Sequence, residues 1–158
     1  MSSSLSRNAE SAAHSNACAQ CGFSLWLPIA ALDVSTLGLY NDARFPGRCI
    51  LALNDHAEDF ALIPEKLAFE FVLDARHAAR AIAIAMKVPR VNYAILGNAE
   101  PHVHFHLIPR NPSDDPVPNR SPWNHPDPVR KLAPDLRDEI RSGIAAALEH
   151  LRNPNTRD

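Results

Sequence analysis

Three histidines, His102, His104 and His106, alternate with Val103, Phe105 and Leu107 in the stretch HVHFHLI at residues 102–108. Successive side chains of an extended chain point to opposite faces, so this spacing puts three imidazoles on one face and the apolar residues on the other. Neighbouring rings then stand about 6.5–7 Å apart along the chain. On a helix, residues two apart do not face each other, so the pattern has chemical use only on a strand. Three protonated rings in a row repel, which pushes their pKa values down and leaves neutral imidazoles near pH 7. A neutral imidazole is both a base and a nucleophile. A neighbouring ring that takes up a proton stabilises an anion. The pair of properties suits attack on phosphate, with one ring attacking and another holding the oxygens. The same pattern suits chelation of a metal by the rings, or a solvated strand without chemistry, and residue types alone leave the three readings open. Asn98, in the turn LGNAEP just upstream, offers a further hydrogen-bond donor to phosphate.

A second set of reactive side chains lies near the start. The chain has three cysteines, Cys18, Cys21 and Cys49, an odd number that closes no disulfide framework. Cys18 and Cys21 have the C-x-x-C spacing of a metal clip, with two unligated thiols as the rival reading. A tetrahedral site needs two more donors, and His56, after the apolar run CILALND, is a candidate. Cys49 reads as core packing. His14, His77, His125 and His150 read as surface residues, and Trp26 and Trp123 as packing residues in preference to base-stacking platforms. Arg110 is either a phosphate contact or a solvated loop residue.

The elements that must position these groups are legible in the hydrophobic pattern. TLGLYND reads as a strand ending in an Asn-Asp turn, and RCILAL (48–53), after the turn Pro46-Gly47, as a buried strand antiparallel to it. Residues 64–87 form the clearest helix. Pro64 and Glu65 suit its first turn, Leu67, Phe71, Ala75, Ala78, Ile82 and Met86 give one apolar face, and Val88-Pro89 ends it. VNYAILGN (91–98) and HVHFHLI (102–108) follow as strands. Residues 109–128 hold seven of the chain's fourteen prolines and are expected to enter neither sheet nor helix, while Trp123 suggests that they pack on something. A second helix runs from about Pro134 to His150, its apolar face being Leu136, Ile140, Ile144, Ala147 and Leu151. The order predicts an α+β fold: an antiparallel sheet with two main helices packed against it.

At 158 residues the chain is long enough for one domain with a real core. Residues 1–16 read as a flexible tail and 17–152 as a single domain. A net charge of −2 provides no general basic field, so nucleic acid is not an expected partner and phosphate binding has to be local. No run of eighteen apolar residues is present, and the N-terminal stretch lacks the apolar centre of a secretory signal, so no membrane association and a cytoplasmic location are expected. Five glycines with no Gly-rich loop exclude most nucleotide cradles, and no organic cofactor is expected.

HVHFHLI resembles the histidine triad signature, H-φ-H-φ-H-φ-φ with φ hydrophobic, at every position. The likeness extends outward. FPGRCILALNDH is similar to the family's strand after a Pro-Gly turn, NYAILGNAEPHVHFHLIPR to the two strands that end in the triad, and DDPVPNRSPW to the tail of bacterial members. The resemblance covers roughly residues 18–150. It implies a HIT-like fold with about five strands and a homodimer that binds nucleotides and cleaves at the α-phosphate of dinucleoside polyphosphates, nucleoside phosphoramidates or related compounds. It implies that His104 is the nucleophile, forming a covalent nucleotidyl-histidine, and that His106 contacts the phosphate oxygens. It implies that Asn98 binds phosphate and that Asn41 lies near the ribose. In zinc-bearing members the ligands resemble Cys18, Cys21, His56 and His102, which makes the implied zinc structural. The related uridylyltransferase branch carries glutamine at the third position and prolines between the histidines; His106 and the absence of such prolines point to hydrolysis. Two other classes stay open: a nucleotide-binding regulatory or scaffold protein with negligible turnover, and a metal-binding protein whose histidines chelate.

Overall fold

The computed structural model describes residues 17–153, so the tail expected over 1–16 lies outside the described residues. Among the described residues five strands and two long helices follow one another as β1 (Leu27–Ala31), β2 (Ser35–Leu39), β3 (Cys49–Leu53), α1 (Glu65–Met86), β4 (Arg90–Ala94), β5 (His104–Arg110) and α2 (Pro134–Arg152). Short 3₁₀ turns occupy Phe60–Leu62 and Pro122–Asn124. The strands form one sheet in the order β1-β2-β3-β5-β4, every neighbouring pair antiparallel. This is the α+β arrangement that the order of elements predicts.

The alternation within the strands separates two faces. Leu37 and Leu39 of β2, Cys49, Leu51 and Leu53 of β3, and Phe105 and Leu107 of β5 join the core with Phe71, Ala75, Ala78 and Ile82 of α1 and Ile140, Ile144 and Leu148 of α2. Phe71 and Phe105 meet with ring centroids 5.0 Å apart. Thr36, Gly38, Ile50, Ala52, His104 and His106 alternate with these core residues and take the other face. Helix α1 stops where Lys87 adopts a left-handed conformation, φ 53°, and its N–H returns to the carbonyls of Ala83 and Ile84; Pro89 cannot continue the helix.

Three boundaries differ from the pattern reading. The strand expected over 91–98 ends at Ala94. The histidine strand begins at His104, so His102 and Val103 form its lead-in. The proline-rich segment does enter the sheet, since Pro109 pairs with Val91 and Arg110 with Arg90. Beyond Leu107 the pairing with β3 has ended, so the ladder is one-sided there and a missing proline N–H is tolerated.

One buried charge ties sheet to helix. Asp74 of α1 is 1% exposed and accepts from the N–H of Val34 at 2.9 Å, the N–H of Asp33 at 3.3 Å and the hydroxyl of Ser35 at 2.6 Å. Asp74→Ala leaves these donors unsatisfied in the interior, and a loss of about 2–4 kcal/mol is expected. Denaturant midpoints of the two proteins check it; a change under about 0.5 kcal/mol would remove Asp74 from the account of stability.

Candidate active site

The histidines occupy the sheet face that the helices leave open. In the β3–β5 pair, Ile50 lies opposite His106 and Ala52 opposite His104, and in β2–β3 Gly38 lies opposite Ile50. Small residues in this row let the segment 23–26 lie close on the sheet. A Cβ at Gly38 would come 2.9 Å from the Cβ of Leu25. Phe23, brought down by this segment, stacks on both His102 (centroids 4.8 Å apart, planes at 8°) and His104 (5.1 Å, 26°). The ring that follows the Cys-x-x-Cys turn therefore clamps the lead-in of β5.

Hydrogen-bond partners fix the tautomers along the row. His104 Nδ1 donates to the carbonyl of His102 at 2.7 Å, which leaves the lone pair on Nε2. Arg48 Nη2 donates to His106 Nδ1 at 3.2 Å, so the His106 proton sits on Nε2, 3.3 Å from His104 Nε2. His102 Nε2 donates to the carbonyl of Leu53 at 2.8 Å, which leaves its Nδ1 as a donor atom for a metal. Arg48 is itself held by Asp42, whose Oδ2 accepts from Nη1 at 2.9 Å, and lies over the Tyr40 ring at 4.1 Å. Burial alone would raise the Asp42 carboxyl, but hydrogen bonds from Arg44 and Arg48 outweigh it and hold it below the ordinary carboxylate value. His106 is pushed from 6.5 down to about 4, first by desolvation, then by the charge of Arg48. A buried cation beside a buried imidazole keeps that imidazole neutral.

Cys18, Cys21, His56 and His102 each turn one ligand atom to a common point, these atoms lying within 4.8 Å of one another. Cys18 Sγ is 3.5 Å from His56 Nδ1, and Cys21 Sγ is 3.5 Å from His102 Nδ1. A tetrahedral ion with bonds of about 2.3 Å to sulfur and 2.0–2.1 Å to nitrogen sets such edges near 3.5 Å, so the donor set fits one. The N–H groups of Cys21 and Gln20 lower the Cys18 thiol to about 6, which favours the ligating thiolate, while desolvation pushes the Cys21 thiol up. The Leu53 carbonyl on His102 and the Glu58 carboxylate, 3.7 Å from His56 Nε2, lie behind the two imidazoles. Among the described residues this cluster takes His102 and neither His104 nor His106, so the fold does not gather the three histidines for chelation.

A cavity of about 360 Å³ opens over His104 and His106. Asn98 lines it with Phe23, Trp26, Tyr40 and Leu96. The fold does not bring Asn41 or Arg110 to this cavity. Asn41 Oδ1 accepts from the N–H of Leu132 at 2.8 Å and so ties the turn after β2 to the segment before α2. Arg110 is 5% exposed and its guanidinium is taken up by Asp115, Asn92 and two carbonyls. Cys49 is fully buried, and burial pushes its thiol up. His150 is exposed, but His125 is half-buried, edge-on to Phe45 and accepting from the N–H of Asp127; His14 lies outside the described residues. The tryptophans are not core packing. Trp26 is 46% exposed on the cavity wall, and Trp123, 51% exposed, stands edge-on to His106 at 5.8 Å. Arg48 and Phe23 are the residues that residue typing misses. Arg48 lies two positions before Ile50, on the row of the histidines, a signal that needs the β3–β5 register.

No family model matches the sequence, and no curated protein matches it significantly. Solved structures do. A histidine triad (HIT) protein from Sinorhizobium meliloti superposes with a TM-score of 0.69 at 20% identity, over 77% of this chain and 88% of that one. A zinc-bound histidine triad family protein from Mycobacterium smegmatis gives 0.61 at 19% identity, over 81% and 87%. A diadenosine triphosphate hydrolase from Plasmodium falciparum gives 0.56 at 14% identity, over 80% and 76%. The shared property is the fold.

The position of His106 sets a pH dependence. Its folded pKa of about 4 lies below the ordinary 6.5, so unfolding takes up a proton between these values. Its contribution to stability is full above about pH 6.5 and declines as the pH falls towards 4. Urea midpoints at pH 7 and pH 5 are expected to differ more in the wild type than in His106→Asn. Equal losses in both proteins would show that His106 is not held neutral.

Proposed function

We propose that this chain, which carries the histidine triad signature on the histidine triad fold, is a hydrolase that cleaves nucleotides at the α-phosphate through a covalent nucleotidyl-histidine. The observation that supports this most is the tautomer of His104, whose Nδ1 proton is committed to the His102 carbonyl at 2.7 Å. The lone pair on Nε2 thereby faces the cavity that also holds Asn98. In the first step this lone pair bonds to the α-phosphorus. The bond from phosphorus to the leaving group breaks, and the leaving group takes the electron pair. The imidazole keeps its Nδ1 proton, and the carbonyl of His102 stabilises the positive charge that the ring acquires. His106 Nε2–H, aimed at His104 Nε2 in the free protein, turns to the phosphoryl oxygens, and Asn98 adds a donor. In the second step water bonds to phosphorus, the nucleoside monophosphate leaves His104, and one proton goes to solvent.

Arg48 acts through His106. It fixes which nitrogen carries the His106 proton and, with Tyr40 and Trp123, limits where the ring can turn. Cys18, Cys21, His56 and His102 would hold a structural zinc ion, whose part is to fix the turn before β5. The likeness to a zinc-bound structure and the fit of the donor set support this assignment. The binding of a nucleotide is supported by the histidine row, by the aromatic walls of the cavity and by the fold shared with a diadenosine triphosphate hydrolase.

Incubation with diadenosine triphosphate is expected to release AMP, and His104→Ala to lower the rate by about a thousandfold or more with an unchanged circular dichroism spectrum. Acid quench in the first turnovers is expected to trap an adenylyl group on His104 by mass spectrometry. Unchanged turnover in His104→Ala, with no adduct, rejects the mechanism. Elemental analysis is expected to find about one zinc per chain, lost in Cys18→Ser; full zinc in that variant rejects the ligand set.

A further inference from the structure

The transfer to His104 proposed above leaves a charge to account for. Once Nε2 has bonded to phosphorus, with the proton kept on Nδ1, the ring is a cation. His104 is 5% exposed, so water does not solvate that ring and the protein has to compensate it. The ring edges offer one dipole. Nδ1 faces the carbonyl of His102 at 2.7 Å, and among the described residues no carboxylate bonds to either nitrogen. The charged group behind His106 is Arg48, which has the same sign. The ring face is different. Phe23 lies on it with centroids 5.1 Å apart and planes at 26°, an offset stack within the range at which an aromatic face attracts a cation. The same phenyl covers His102 at 4.8 Å. Its backbone is held on both sides. The Cys18 N–H donates to the Phe23 carbonyl at 2.7 Å, Ala17 bridges Ser24, and Leu25 rests on Gly38. The phenyl thus stands as a partition between the cavity over His104 and His106 and a smaller one of about 240 Å³ beside Cys18.

We propose that Phe23 is a positioning residue for this transfer: its π face holds the His104 ring and stabilises the positive charge that the ring carries only in the covalent state. The inference rests on the transfer to His104 proposed above. In the free protein the ring is neutral, and the negative face of the phenyl gains little from it. As the N–P bond forms, the bond from phosphorus to the leaving group breaks and the leaving group takes the electron pair. The ring then becomes cationic, and the stack strengthens. An interaction that grows on the way to the transition state speeds the step. The same interaction favours the adduct over the second transition state, in which the ring is losing its charge, so it also prolongs the life of the adduct. A leucine at position 23 fills the space and excludes water but has no negative face. The Cys-x-x-Cys turn thereby acquires a chemical effect, because it delivers the phenyl to the nucleophile.

The test follows formation and breakdown of the adenylyl adduct on His104 in single turnovers with diadenosine triphosphate. It compares the wild type with Phe23→Leu and with the protein carrying pentafluorophenylalanine at position 23, whose ring stacks alike but presents a positive face. Formation is expected to slow about tenfold in both altered proteins, and breakdown of the adduct to quicken. In the fluorinated protein the zinc content and the affinity for AMP are expected to stay as in the wild type. Formation and lifetime unaltered in the fluorinated protein overturn the inference while leaving the His104 chemistry intact. Formation and breakdown slowed together overturn it as well, because lost packing, and not lost charge stabilisation, has that signature. If Phe23→Leu loses zinc, the fluorinated protein alone decides. Should the wild type form no adduct, the transfer itself fails, and potassium phosphoramidate, which passes its phosphoryl group to imidazole and releases ammonia, decides on the stack without a nucleotide. Phosphorylation of His104 about tenfold slower in the fluorinated protein then supports the role of Phe23, and equal rates or no phosphorylation overturn it.

Discussion

The hydrogen bond from His104 Nδ1 to the carbonyl of His102 is the constraint on which the site depends. A free imidazole exchanges its proton between two nitrogens and turns about two torsions. This bond removes both freedoms at once, because it assigns the proton to Nδ1 and aims Nε2 into the cavity. Its acceptor is only as fixed as the backbone of residue 102. That backbone lies before β5, outside the regular ladder, and needs other supports. His102 Nε2 reaches back to Leu53, the N–H of Val103 reaches Ala57 at 2.7 Å, and Phe23 covers the His102 and His104 rings together. The four-donor cluster closes round the same residue. The histidine of the four-donor cluster and His104 thus sit two positions apart, and the backbone of the first orients the ring of the second.

Arg48 extends the chain of dependence to the other side. A guanidinium next to an imidazole is an unfavourable pairing if the imidazole is charged, so the contact holds only with a neutral ring. Asp42 compensates the arginine, and Arg44 in turn compensates Asp42. Hydrogen bonds therefore run two ways from Arg48: Nη1 donates back to Asp42 Oδ2, and Nη2 donates to His106 Nδ1, whose Nε2–H points to the lone pair of His104 Nε2. Among the described residues the Nε of Arg48 is buried without a hydrogen-bond partner, a local cost of placing this cation inside.

The proline-rich segment shows how an apparently irregular stretch acquires definite shape. Prolines remove backbone donors, so such a segment cannot organise itself through a ladder. Arg110, at the end of β5, supplies the missing order from the side by bonding Asp115 and two carbonyls of the segment. Trp123 then reaches His106, and Arg120 reaches a cleft beside it.

The amino-acid sequence by itself determined the α+β class, the long helices and the alternating histidines, because these follow from local periods of two and of about 3.6 residues. It also carried Cys18, Cys21, His56 and His102 as a set, through spacing and through resemblance to a known signature. Tertiary structure alone decided what Arg48, Phe23 and Trp123 touch, that Asn41 and Arg110 serve as braces, and where the cavity lies. Those outcomes depend on the strand register, on Gly38 admitting Leu25, and on a loop pinned from a distant strand. Contacts of that kind join residues far apart in sequence, and no local period encodes them.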